Sequence, residues 1–243
     1  MTDPRVYPRV IASVWGLPKT GKTHFAFSFP KPLHAIEIGE TGVEDLASIH
    51  PDWDIRYRPL IIPNLSPSIA DHEKMLAEFE ESLNEAVNSD ARTLIIDSFS
   101  RLWRSVRLVK TEEGFQNSLR QKRNQADYEL ANDYIEQVIQ VARRNRTMNI
   151  VLVHRHRDIF RKDGDGKLVN TGEAEARDYR GMDNLVQVAV RTEKREFLNP
   201  KTREKEVDFG HVVELCRFNA ELQGVMVRRL DYDKLMGRIF DGT

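Results

Sequence analysis

The 243-residue chain has a single cysteine, Cys216, so it can form no internal disulfide and can supply no thiolate metal cluster. That poverty fits a reducing cytoplasm. No apolar run approaches the roughly 20 residues that span a bilayer, and Met1 to Arg9 lacks the apolar stretch of a secretion signal, so a cytoplasmic protein with no membrane partner is expected. Net charge is almost absent too, at −1, yet the total hides an asymmetry. Residues 37–90 carry 13 acidic against 3 basic side chains, whereas 101–123 carry 7 basic against 2 acidic and 143–162 carry 7 against 1. Two basic stretches in a neutral chain suit a protein that meets a polyanion on one face, although solvated helix faces give the same count. With 40% hydrophobic and 31% charged residues, the composition is that of an ordinary globular protein able to bury a sizeable core.

What is present is dominated by Gly16-Leu17-Pro18-Lys19-Thr20-Gly21-Lys22-Thr23. Val10 to Trp15 before it reads as a buried strand, and His24 to Phe29 after it continues as a helix. Strand, glycine-rich turn and helix form the context in which such a loop cradles phosphates. Gly16 lets the chain leave the strand, and Gly21 lets the backbone approach an anion. The stretch Gly16, Leu17, Pro18, Lys19, Thr20, Gly21, Lys22, Thr23 and His24 then wraps the phosphates, its backbone N–H groups, which Pro18 alone lacks, pointing at them with help from the helix dipole. Lys22 is placed to reach the β and γ phosphates, and the Thr23 hydroxyl to hold a Mg²⁺ that bridges them.

Further strands follow. Leu33 to Ile38 leads into Glu37-Ile38-Gly39-Glu40, which puts carboxylates at a strand's carboxyl end, where open α/β sheets bind ligands. Glu40 is the first choice for the base that deprotonates the attacking water; Glu37 is the alternative, and a plain surface acid is the bland one. Ile55 to Leu60 reads as a short strand, and a helix from Asp71 turns Met75, Leu76, Phe79, Leu83, Ala86 and Val87 to one face. Thr93 to Asp97 is a buried strand ending in the carboxylate that reaches Mg²⁺, with Ser98 or Ser100 capping the helix after it. A fourth strand ends at His154, a candidate sensor of the γ-phosphate. A metal pair of His154 and His156 lacks a third ligand. From Asn184 onward, short strands extend the same sheet.

The basic residues follow the third and fourth strands. Arg101, Arg104 and Arg107 recur on one helical face beside Trp103, and Glu112 to Asn124, which holds Arg120, Lys122 and Arg123, reads as an exposed loop. A helix resumes near Gln125, with Tyr128, Ile135, Val138, Ile139 and Ala142 facing the core. Arg155, Arg157, Arg161 and Lys162 open a second long loop to Met182, with a turn at Asp163-Gly164-Asp165-Gly166. Cations interleaved with aromatics suit single-stranded DNA.

In this order, the loop Gly16–Thr23, a strand ending in glutamate, Leu94-Ile95-Ile96-Asp97-Ser98-Phe99-Ser100-Arg101-Leu102-Trp103 and Val151-Leu152-Val153-His154 resemble the RecA/RadA-type ATPase core. They are most similar to small phage nucleotide-binding proteins that act as RecA-like recombinases or single-strand annealing ATPases. The resemblance implies an α/β RecA-like P-loop NTPase fold, a mostly parallel twisted sheet flanked by helices, with C-terminal antiparallel strands extending it. As one domain it would comprise an arm (1–8), a nucleotide-binding core (9–182) and a strand extension (183–243). It also implies Mg²⁺-dependent ATP hydrolysis, single-stranded DNA binding, assembly into rings or filaments, and a single-strand binding protein as a further partner. Carried over, Lys22 and Thr23 match the nucleotide loop, Asp97 the magnesium aspartate, Glu40 the catalytic glutamate and His154 the sensor. Arg217, in Cys216-Arg217-Phe218-Asn219, keeps the Arg-Phe pair of an element that supplies a trans-acting arginine, but lacks its lysine and glycine. A helicase or loader-type motor, a small-molecule kinase and a non-enzymatic nucleotide-binding module are the other functions compatible with such a loop.

Overall fold

The computed structural model describes residues 7–62, 67–116, 128–162, 164, 166–176, 181–198 and 203–242. Its frame is a nine-stranded sheet in the order β3-β2-β4-β5-β1-β7-β8-β9, with β6 paired to β5. In chain order the strands are β1 (Ile11–Gly16), β2 (Leu33–Ile38), β3 (Ile55–Leu60), β4 (Thr93–Asp97), β5 (Asn149–Lys162), β6 (Leu168–Ala176), β7 (Val188–Leu198), β8 (Lys205–Cys216) and β9 (Met226–Arg228). The helices are α1 (Lys22–Phe27), α2 (Gly42–Ile49), α3 (Ile69–Val87), α4 (Phe99–Gln116), α5 (Glu129–Ala142), α6 (Met182–Leu185) and α7 (Tyr232–Met236). Strands β3, β2, β4, β5, β1 and β7 run parallel, and β8 and β9 return antiparallel.

The near-continuous apolar runs of the inner strands follow from burial on both faces. Alternate residues feed two cores. Ile36, Ile96, Ile150 and Leu152 meet α3, α4 and α5 on one side. Ala35, Ile95, Val151 and Val153 meet α1, α2 and α7 on the other. The face anticipated for α3 is the buried one, from Met75 to Ala86, and the helix begins earlier, capped by Ser68, whose hydroxyl accepts from Asp71 N. In α5, Ile135, Val138, Ile139 and Ala142 are buried as expected, but Tyr128 lies before the helix and is 41% exposed.

Two segments read as loops are regular. Helix α4 runs on to Gln116, so the first part of Glu112–Asn124 is helical, while 117–127, with Arg120, Lys122 and Arg123, lies outside the described residues. Strand β5 does not stop at His154. It continues to Lys162 and folds back as β6, pairing Phe160 with Asn170 and Lys162 with Leu168. The expected turn falls between the two strands, with Asp163 and Asp165 outside the described residues.

Parallel registers align the ends that matter. Glu37 sits opposite Asp97, Asp97 opposite Val153, and Gly16 opposite both Arg155 and Thr192. The loop after β1, the acids of β2 and β4, and Arg155 therefore meet at the carboxyl edge of one sheet.

Candidate active site

The loop 16–23 is held by its neighbours. At Gly16 a Cβ would stand 2.2 Å from the Thr192 carbonyl oxygen, so only glycine fits between β1 and β7. Gly21, the residue before α1, adopts φ 92°, in the left-handed region glycine enters at no cost. Leu17, Pro18, Lys19 and His24 are exposed along the rim, while Thr20 is buried and donates to the Leu17 carbonyl at 2.7 Å. The ring of Phe209 on β8 covers Gly21, 3.3 Å from where a Cβ would stand.

Lys22 Nζ donates to the carbonyls of Gly16 at 3.1 Å and Leu17 at 2.8 Å. It is thus tethered in the loop, with burial lowering its pKa against the pull of Asp97 and Glu40. Thr23 Oγ1 donates to Asp97 Oδ2 at 3.0 Å, bridging 74 positions of sequence. Burial pushes the Asp97 carboxyl up to about 7; the Thr23 hydrogen bond opposes this, and Glu40 and Glu37 add to it. A carboxylate so costly to ionise is stabilised by a nearby cation. Among the described residues no group of three or more His, Cys, Asp and Glu side chains converges. A cation beside Thr23 and Asp97 would complete its shell with phosphate oxygens and water, which fits the way Mg²⁺ binds.

The two glutamates differ. Glu37 is 1% exposed, and its oxygens accept from Val43 N and from the Tyr57 hydroxyl, both at 2.8 Å. It pins α2 and β3, and burial, with this contact adding to it, raises the Tyr57 pKa. Glu40 stands past the strand end, and its Oε1 accepts from Arg155 Nε at 2.6 Å and Arg101 Nε at 3.4 Å.

The remaining expectations fare unevenly. Arg101 and Arg155, read as DNA contacts, are turned to Glu40. Arg104 and Arg107 are exposed on α4, but Trp103 is half-buried and packs against the core. Arg157 pairs with Glu175 at 2.8 Å and Arg161 with Glu173 at 3.2 Å across the hairpin, while Lys162 is exposed. His154 is fully buried with its ring 5.2 Å from Phe99, and burial lowers its pKa to about 3. That neutral, enclosed ring presents no surface to a γ-phosphate. Arg217 is exposed and donates to the Asp183 carbonyl at 2.6 Å. Its backbone N–H bonds Gln187, at the level of Ile11. It therefore lies a strand's length from the loop, on the order of 17 Å at about 3.3 Å per residue.

Thr192, Phe209 and Tyr57 were not anticipated. Thr192 and Phe209 lie about 170–190 positions from the loop in sequence, and no local spacing marks them; only the adjacency of β1, β7 and β8 does.

A phosphate loop opening the first helix, a Thr–Asp pair beneath it and strand β5 between β1 and β4 define a P-loop NTPase. A family model described as an AAA domain matches residues 9–205, and the chain belongs to that family. Such a domain carries nucleotide-dependent ATPase activity. No curated protein matches the chain.

Proposed function

We propose that the protein is a Mg²⁺-dependent ATP hydrolase that binds single-stranded DNA and promotes annealing or recombination, its nucleotide state ordering the DNA-binding segments. The observation that carries the nucleotide chemistry is the 3.0 Å contact between Thr23 and Asp97 beside the tethered Lys22. Thr23 and Asp97 would hold the Mg²⁺, which would supply charge neutralisation to the phosphates. Lys22 exchanges the Gly16 and Leu17 carbonyls for phosphate oxygens, and the N–H groups of the loop fix the rest of the chain of phosphates. Glu40, beyond the strand end, orients a water and accepts its proton as the water oxygen bonds to the γ-phosphorus. The bond to the bridging oxygen breaks, leaving ADP and inorganic phosphate.

For the DNA part, the support is the placement of cations around exposed apolar groups. The β5–β6 hairpin carries Arg157, Arg161 and Lys162 beside Phe160, which is 55% exposed. Cationic grooves with aromatic platforms bind single strands without regard to sequence. Arg217, remote from its own loop, would act only on a neighbouring copy in a ring or filament.

The test is ATP hydrolysis with and without single-stranded DNA, for the native chain and Lys22→Ala, beside annealing and unwinding assays. Stimulation that vanishes in the variant, with annealing activity, supports the proposal. Turnover indifferent to DNA sinks the DNA part, and unwinding without annealing would instead make the protein a motor.

A further inference from the structure

A cavity of about 460 Å³ opens at the carboxyl ends of β2 and β4, beside Glu40; its lining includes Arg101, Arg104 and Arg155 with His72, Ser100 and Ser105. The cations here are positioned by the backbone beneath them. Arg155 N donates to Ser100 Oγ at 2.9 Å, and Arg101 N to Ser98 Oγ at 3.3 Å. Buried His72 lies 2.9 Å from Ser105 through Nδ1. Asp71, the next residue of α3, is turned to its cap and accepts from Ser68 N at 2.7 Å. The rest of the lining is largely apolar, from Ile38, Leu60, Ile61, Ile62 and Pro67, so the polar contacts of an occupant fall to the three guanidinium groups, and arginine grips a phosphate with paired, charge-assisted hydrogen bonds.

Glu40 occupies two of those guanidinium groups. A carboxylate so held faces cations rather than a water. We propose that the cavity walled by Arg101, Arg104 and Arg155 is a phosphate-binding site whose occupant competes with Glu40 for Arg101 and Arg155, so that filling it releases Glu40 to act at the nucleotide. This rests on the reading of Glu40 as the base. The phosphate comes either from the backbone of single-stranded DNA or from a free phosphate; the recognition chemistry is the same. Competition is reciprocal, so removing the carboxylate tightens phosphate binding by the factor that phosphate binding frees the carboxylate.

The experiment reads binding without turnover. A fluorescent oligo(dT) is titrated in the presence of ADP with the native chain, Glu40→Gln and Arg104→Gln, and inorganic phosphate alone is used as competitor. Glu40→Gln is expected to bind the oligonucleotide roughly tenfold more tightly, a typical coupling, and Arg104→Gln several-fold more weakly. A merely structural Glu40 would not tighten binding when neutralised. Displacement by millimolar phosphate assigns the site to free phosphate, and its failure, with the variant pattern kept, assigns it to the DNA backbone. Equal binding by the native chain and Glu40→Gln, or binding of neither probe, overturns the proposal. Absence of ATP hydrolysis by the native chain, with the tightened binding of Glu40→Gln kept, would instead sink the ATPase reading and leave the phosphate site standing.

Discussion

The buried hydroxyls of Thr20 and Thr192 lie 2.6 Å apart, joining the phosphate loop to β7 across 172 positions of sequence. Each hydroxyl has one proton; that of Thr20 goes to the Leu17 carbonyl at 2.7 Å, and that of Thr192 is shared between Thr20 and the more distant Trp15 carbonyl at 3.3 Å. Thr192→Val keeps the shape and removes the donor. Losing one such buried bond costs about 1 kcal/mol, or roughly 2–4 °C in Tm for a domain of this size. Because the bond fixes the loop, nucleotide affinity should fall several-fold as well. Gly16→Ala should do far more, since its Cβ meets the Thr192 backbone, and should abolish nucleotide binding. Thermal melts and a fluorescent-nucleotide titration check both.

The Asp97 carboxyl titrates near 7 in the folded chain, well above its value in an unfolded one, because burial penalises its charge. A group raised in the folded state contributes stability that is complete below the unfolded value and is lost as pH rises through the folded one. Without nucleotide, the protein should therefore lose stability from this group between about pH 4 and 7. Asp97→Asn should raise Tm by several degrees at pH 8 and by little at pH 4, while removing Mg²⁺-dependent hydrolysis. In the native chain the Mg²⁺ concentration needed for hydrolysis should rise as pH falls below about 7, because the cation must then displace the Asp97 proton. A Tm difference that does not depend on pH would show that Asp97 is not the titrating group.

Glu37 and Glu40 separate by what each holds. Glu37→Ala strips partners from Val43 N and the Tyr57 hydroxyl in a buried place, at about 1–3 kcal/mol for each unsatisfied group, so the loss should appear first in Tm. Glu40 is partly exposed, and among the described residues its carboxylate bonds the side chains of Arg101 and Arg155, so with Glu40→Gln the melt should barely move. Removing a general base costs about 10²–10⁴ in rate, and that loss is expected of Glu40→Gln. If Glu37→Gln, stably folded, loses the rate instead, the base is Glu37.

How far the fold could be read from the chain depended on whether the cause was local. Gly16 to Thr23 was legible because backbone freedom, cation and hydroxyl are all needed within eight residues, and Asp97 because a buried strand must end at its carboxylate. Helix α3 was legible because one face of it is buried at helical spacing. The hairpin after His154 was not, since β5 and β6 are open to solvent there and show no apolar alternation. The end of α4 was missed for a related reason. From Glu112 to Gln116 the sequence reads Glu-Glu-Gly-Phe-Gln, and no apolar period marks that last turn. Arg101 and Arg155 were taken for free cations because their carboxylate, Glu40, is 61 and 115 positions away, and pairing over such distances leaves no trace in a charge count.

The hairpin carries the last prediction. Arg157 and Arg161 are paired across it with Glu175 and Glu173, so part of its positive charge is already offset, and Lys162 and Phe160 are an exposed cation and an exposed ring that a single strand can meet. Stacking on an aromatic ring is worth about 1–3 kcal/mol per base, so Phe160→Ala should weaken oligo(dT) binding by about tenfold at any salt concentration. Lys162→Ala acts differently. A lost phosphate contact lowers the dependence of log K on log salt by roughly 0.7 for a single strand, so this variant should fall furthest behind at low salt and converge on the native chain as salt rises. Anisotropy titrations at three salt concentrations distinguish the two signatures. Identical salt slopes and affinities in native and variant chains would move the DNA path off the hairpin and onto α4, where Arg104 and Arg107 are exposed.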